Sequence, residues 1–163
     1  MMKTFTDAAG RTWTIALTLG TALSVKAKLG VDLLAIEAGE VPLLTRLGSD
    51  ELLLGEVICA LLEKQFEAYK VDAQQVQAAF DGQTLLGAQK AFYEELIDFF
   101  HSRGRADRAG AVAKQMALIE AVVAAMERKI ETMDVDLMVQ EAMGTPGQTS
   151  GGSPGASASI PGH

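Results

Sequence analysis

Within residues 109–143 the apolar residues Val112, Met116, Ile119, Val123, Met126, Ile130, Met133 and Leu137 recur at alternating steps of four and three. That spacing keeps one seam on one side of a helix. At ~1.5 Å per residue the seam runs roughly 38 Å, about the width of a small domain. A ridge of that length must be covered, by the rest of the chain or by another polypeptide. Five of the seven methionines, Met116, Met126, Met133, Met138 and Met143, lie in this stretch. Unbranched thioethers adapt to irregular partners, and Met-rich grooves recur where variable apolar segments are held. The same stripe also suits a core or a dimer seam, the commoner fate of methionine at helical spacing.

The chain has 163 residues and a formal charge of −7. Once a polar tail is set aside, about 140 residues remain, enough to bury one core without disulfides. The negative balance disfavours a duplex-binding surface, which needs clustered Lys and Arg, so no nucleic-acid partner is expected. Arg103, Arg105 and Arg108 cluster in one connector, too few to carry such affinity and read as a solvated loop. Cys59 is the only cysteine, which excludes an intrachain disulfide and suits a small buried thiol in a reducing compartment. Lys3 and Arg11 ahead of residues 13–19 loosely mimic a secretory signal. Asp7 and Gly10 interrupt that basic region, however, and strict alternation fits a strand better. No run reaches the ~18 apolar residues needed to cross a bilayer, so a cytoplasmic location without membrane contact is expected.

Residues 3–19 read as a β-hairpin, with Trp13, Ile15, Leu17 and Leu19 alternating with Thr12, Thr14, Ala16 and Thr18 and with Asp7 and Gly10 in the connection. An isolated ribbon is marginal in water, so its Trp13 face must lie on helices, while its open edge offers a pairing site to a second subunit. A short helix over 21–29 stops at Gly30, and residues 31–36 fit strand or helix equally. Pro42 opens a short helix that ends at Gly48. Ser49 caps the next helix, whose buried face is Leu54, Val57, Ile58, Leu61, Phe66 and Tyr69. Asp72 and Gln75 form a capping box for a helix through Phe80, closed by Asp81 and Gly82.

The helix over 84–101 carries Leu85, Leu86, Phe92, Tyr93, Leu96, Ile97, Phe99 and Phe100, a face too wide for one neighbour and therefore central. Its Glu94, Glu95 and Asp98 read as a solvated side. The seam helix is expected to break near Met133 and Asp134, with Asp134 capping a last short helix through Met143. Residues 144–163 are mostly Gly, Ser, Thr, Pro and Ala, with Ile160 as the one large apolar residue, a composition that cannot offset its ordering entropy. The resulting fold class is mainly α (α+β): an N-terminal β-hairpin packed on a multi-helix bundle over 1–143, then a disordered Gly/Ser/Pro-rich tail over 144–163.

His101 and His163 are the only histidines, and the second falls in the tail, so neither a Cys/His zinc site nor a Ser-His-Asp or Cys-His constellation can be assembled. Gly82 and Gly87 lack the Lys-Ser or Lys-Thr of a phosphate loop. Glu95 and Asp98 have no histidine or nucleophile beside them for acid–base work. A binding protein without catalytic residues, metal or cofactor is expected rather than an enzyme.

Thr4-Phe-Thr-Asp-Ala-Ala-Gly-Arg-Thr-Trp-Thr-Ile at the start, Ala91-Phe-Tyr-Glu-Glu-Leu-Ile-Asp-Phe-Phe in the middle and the closing Gly/Ser/Pro/Ala tail together resemble a family from prophage-type tail gene clusters, the phage tail assembly chaperones. The resemblance covers most of the chain. It implies a cytoplasmic, non-enzymatic helper that coats the helical tape measure protein, keeps its apolar stripes from aggregating and helps recruit tail-tube protein. Members of that family often occur in a short form and a frameshift-extended form sharing one N-terminal domain. On this reading Met116, Ile119, Val123, Met126, Ile130 and Met133 bind a helical client or a second copy of the chain, driven by apolar burial at ~25 cal/mol per Å². The alternative is a self-associating structural phage or virion component that uses the same seam.

Overall fold

The structure, a computed structural model, describes residues 3–159, with side chains to Met143 except at positions 134 and 136. Two strands, β1 (Lys3–Thr6) and β2 (Thr12–Ile15), precede the helices α1 (Leu19–Leu29), α2 (Leu43–Ser49) and α3 (Glu51–Leu62). A 3-10 turn (Glu63–Gln65) leads into α4 (Phe66–Tyr69), α5 (Ala73–Ala78), α6 (Gly82–Ser102) and α7 (Ala106–Ser159). The fold is mainly helical with an N-terminal hairpin, as the residue pattern implied. Two units are distinguished, Met1–Ile119 and Glu120–His163, with the boundary inside α7 where the sequence suggested one unit through Met143.

β1 and β2 are antiparallel, with Phe5 opposite Trp13 and Thr4 opposite Thr14. Trp13 is fully buried. Its ring lies edge-on to Phe66 at 5.9 Å between centroids and against Tyr69 at 4.9 Å. The indole N–H donates to Asp7 Oδ2 over 2.9 Å. Asp7 also accepts the amides of Ala9 and Arg11 at 3.0 and 2.9 Å and pairs with the Arg11 guanidinium at 3.3 Å. The connection is therefore wound around one buried carboxylate, and Gly10 at φ +83° supplies the left-handed residue that this winding requires. The amide of Ala8 donates to the carbonyl of Ala79 just past α5, and Phe5 packs edge-on to Phe80. Burial pushes the Asp7 carboxyl up, but the Trp13 indole, the Arg11 and Ala9 amides and the Arg11 charge outweigh it and hold it below the ordinary range.

β2 ends at Ile15, four residues short of the expected strand. Thr18 and Thr21 explain why: they form a reciprocal capping box, the Thr21 amide donating to Thr18 Oγ1 and the Thr18 amide to Thr21 Oγ1. Leu19 is accordingly the first residue of α1 and exposed, not a member of the Trp13 face. The left-handed Gly30 ends α1 as its position indicated. Residues 31–36 form turns, from which Val31, Leu33 and Ile36 are nonetheless buried.

Asp50, not Ser49, caps α3 by accepting the Leu53 amide at 3.1 Å. Ser49 lies inside α2, and its hydroxyl donates back to Thr45 O. The Asp72–Gln75 capping box is present. Asp81 opens α6 by accepting the Thr84 amide, so it starts a helix rather than closing one. α6 buries Ala88, Ala91, Phe92, Tyr93, Leu96 and Phe100, whereas Leu86, expected inward, is exposed. α7 is helical across Met133 and Asp134. The expected break is absent because neither Gly nor Pro interrupts the backbone there. The tail expected to be disordered over 144–163 lies outside the described side chains, and 160–163 outside the described residues.

Removing the Asp7 carboxylate strands the indole N–H and two amides, so Asp7→Ala is expected to cost about 2–4 kcal/mol of stability. Because folding lowers the Asp7 pKa from 3.8, its contribution is full above that value and is lost as pH falls through the folded one. Urea midpoints measured from about pH 6 down to pH 3 should drop less steeply for Asp7→Asn than for the parent.

Candidate functional site

The early turns of α7 belong to the first unit. Ala109 and Val112 are buried there, and Met116 and Ile119 are half-buried against the same core. Arg108 clamps this segment. Its guanidinium donates to the Leu34 carbonyl and to Glu37 Oε1, and lies over the Phe100 ring with 5.8 Å to the centroid. The Arg108 hydrogen bond in turn draws the Glu37 carboxyl below its ordinary range. Gln115 donates to Leu44 O at 3.4 Å and lies so close to Gly48 that a Cβ there would clash with Gln115 Nε2. The connector arginines are thus not simply solvated: Arg108 is a packed clamp, and Arg105 pairs with Asp107 at 2.8 Å.

The later part of α7, in the second unit, is different. Val123, Met126, Ile130 and Met133 are 42%, 60%, 58% and 51% exposed. At 3.6 residues per turn these four, together with Val122 and Leu137, fall within an arc of about 100°. Glu120, Glu127, Arg128 and Glu131 occupy the other side of the helix, which further along also exposes Val135, Met138 and Val139. Of the six predicted seam residues, then, Met116 and Ile119 pack on the core of their own unit and the other four present apolar surface.

α7 over Ala106–Met143 is also long and apolar enough, by length and composition, to cross a bilayer, although no uninterrupted apolar run was expected. Lys114, Glu120, Glu127, Arg128, Lys129 and Glu131 interrupt it.

The carboxylates of α6 do structural work. Glu95 accepts the Leu17 amide at 2.7 Å, and Asp98 pairs with Lys3 at 2.9 Å, so two residues expected in a solvated face tie the hairpin to α6. Sequence spacing carries no signal for such long-range contacts. Cys59 is half-buried, and its thiol is pushed up to about 11 by burial and then by the charge of Glu56, which keeps it protonated and unreactive at neutral pH. Among the described residues no group of three or more His, Cys, Asp or Glu is placed to hold a metal. Grooves among the described residues include one of about 340 Å³ beside Leu52, Cys59 and Phe80, one of about 500 Å³ between β1 and α6, and a smaller one of about 150 Å³ beside Ile36, Glu37 and Arg108.

Compared with known proteins, the chain matches no family model, no curated protein sequence and no solved structure.

The contacts of Arg108 predict that Arg108→Ala lowers unfolding free energy by about 1–2 kcal/mol. Arg105→Ala should leave the denaturation midpoint where it was. Equal effects of the two substitutions would show that the clamp adds nothing.

Proposed function

We propose that this protein is a non-enzymatic phage tail assembly chaperone that acts in the host cytoplasm, holding the helical tape measure protein along α7 and assisting tail-tube assembly. The observation that carries this reading is the exposed stripe of Val123, Met126, Ile130 and Met133 on one arc of a long helix. Such a stripe is shaped for the apolar face of another helix, and covering each half-exposed side chain contributes about 1 kcal/mol. Two methionines in the stripe tolerate variation along a long client. Over residues 120–131 the opposite side carries Glu120, Glu127, Arg128 and Glu131, and this glutamate-rich stretch favours a protein partner over an anionic lipid surface or a bilayer interior. The identity of the client comes from the family resemblance of the sequence.

Because Met126 and Ile130 are more than half exposed, replacing both with Asp should leave the thermal unfolding midpoint within a few degrees of the parent while abolishing solubilisation of a co-expressed tape measure protein. Continued protection by that variant would place client binding elsewhere. Light scattering of the purified parent should show a monomer or small oligomer. A constitutive ring or filament would instead support the self-associating structural component.

A further inference from the structure

The two edges of the hairpin are unequal. The outer edge of β2 is closed by side chains: Gln65 receives the Thr14 amide on Oε1 at 3.0 Å and returns Nε2 to the Thr14 carbonyl at 2.7 Å. The Tyr69 hydroxyl donates to Thr12 O at 2.7 Å. Those contacts show that the backbone groups of Thr12 and Thr14 point away from β1. In an antiparallel pair, residues directly opposite share the same orientation, so the amides and carbonyls of Thr4 and Thr6 point away from β2. Among the described residues those outward groups have no hydrogen-bond partner.

They border the groove of about 500 Å³ whose far wall is α6. Gly87 and Ala91 keep that wall low, and Lys90 and Glu94 stand on it. Among the described residues neither Lys90 nor Glu94 forms a salt bridge; Lys3 pairs with Asp98 and is also attracted by the charge of Glu94.

We propose that this groove receives an extended peptide segment of a partner protein, which adds as a third strand to β1 and carries an acidic residue followed two positions later by a basic one. The spacing follows from the two walls. Lys90 and Glu94 are one turn apart, about 6 Å along the helix, and two residues of a strand span ~6.8 Å on one face. The order follows from direction. Lys3 lies at Asp98 and Phe5 at Gly87, so β1 runs opposite to α6, and a strand antiparallel to β1 runs with α6 and meets Lys90 before Glu94. Main-chain hydrogen bonds to Thr4 and Thr6 supply affinity, and the charge pair sets register and orientation. This surface is separate from the exposed stripe of α7, so it stands or falls independently of the chaperone reading.

The test uses the full chain and a labelled peptide, valine-threonine-glutamate-threonine-lysine-threonine-valine, followed by fluorescence anisotropy. Exchanging glutamate and lysine in the peptide should weaken binding about tenfold, and the double variant Lys90→Glu with Glu94→Lys should reverse the preference. Saturating peptide should slow hydrogen exchange at the Thr4 and Thr6 amides at least tenfold, and N-methylation of the threonine between glutamate and lysine should abolish binding. Equal affinity for the two peptide orders, or unchanged exchange at Thr4 and Thr6, overturns the proposal. So does protection of those amides in a dimer of the protein alone, which would make a second copy the occupant.

Discussion

The indole N–H of Trp13 reaches the Asp7 carboxylate in a site closed to water, and the placement of the whole hairpin follows from that contact. A tryptophan of this size removes 150–250 Å² from water when buried, a contribution of about 4–6 kcal/mol, but only if its N–H finds an acceptor. Asp7 provides one, and the carboxylate is itself tolerated because two amides and a guanidinium satisfy it. With the ring seated between Phe66 and Tyr69, Gln65 and Tyr69 come within reach of β2 and occupy its outer edge. The edge left open is therefore the other one. Local turn chemistry in residues 7–11 thus decides which strand faces a groove.

The hairpin is tied to α6 by charged groups as well as by rings. Glu95 takes the Leu17 amide and Asp98 takes Lys3. Carboxylates committed in this way are poorly suited to acid–base work, which needs a group free to exchange a proton with a substrate. The thiol of Cys59, raised by its burial, is no better placed as a nucleophile.

α7 shows how one sequence repeat acquires two roles. Val112 and Ile130 both belong to the four-and-three seam and lie eighteen residues, five full helical turns, apart on the same side of the helix. Val112 is buried against the first unit, where Arg108 and Gln115 hold the helix to the turns after α1 and to α2. Ile130 is more than half exposed. The difference is one of covering: nearby elements reach the first turns of the helix within its own unit, and the later turns present the same kind of side chain to the outside.

Much of this structure was legible from local chemistry. Gly30 in a left-handed conformation, the Asp72–Gln75 box, the hairpin and the central apolar α6 all depend on residues a few positions apart, and the sequence displays those directly. Errors arose where two local signals competed. Thr18 and Thr21 cap a helix in the middle of an alternating pattern, Asp50 outcompetes Ser49 for the start of α3, and Asp134 lies in the interior of a helix that nothing breaks. By itself the sequence determined which residues share a face and where most elements begin, because helical period and capping are short-range. Only the tertiary structure decided which shared faces are covered, which hairpin edge is closed and which charges are paired, because each of those depends on a residue far along the chain arriving at the right place.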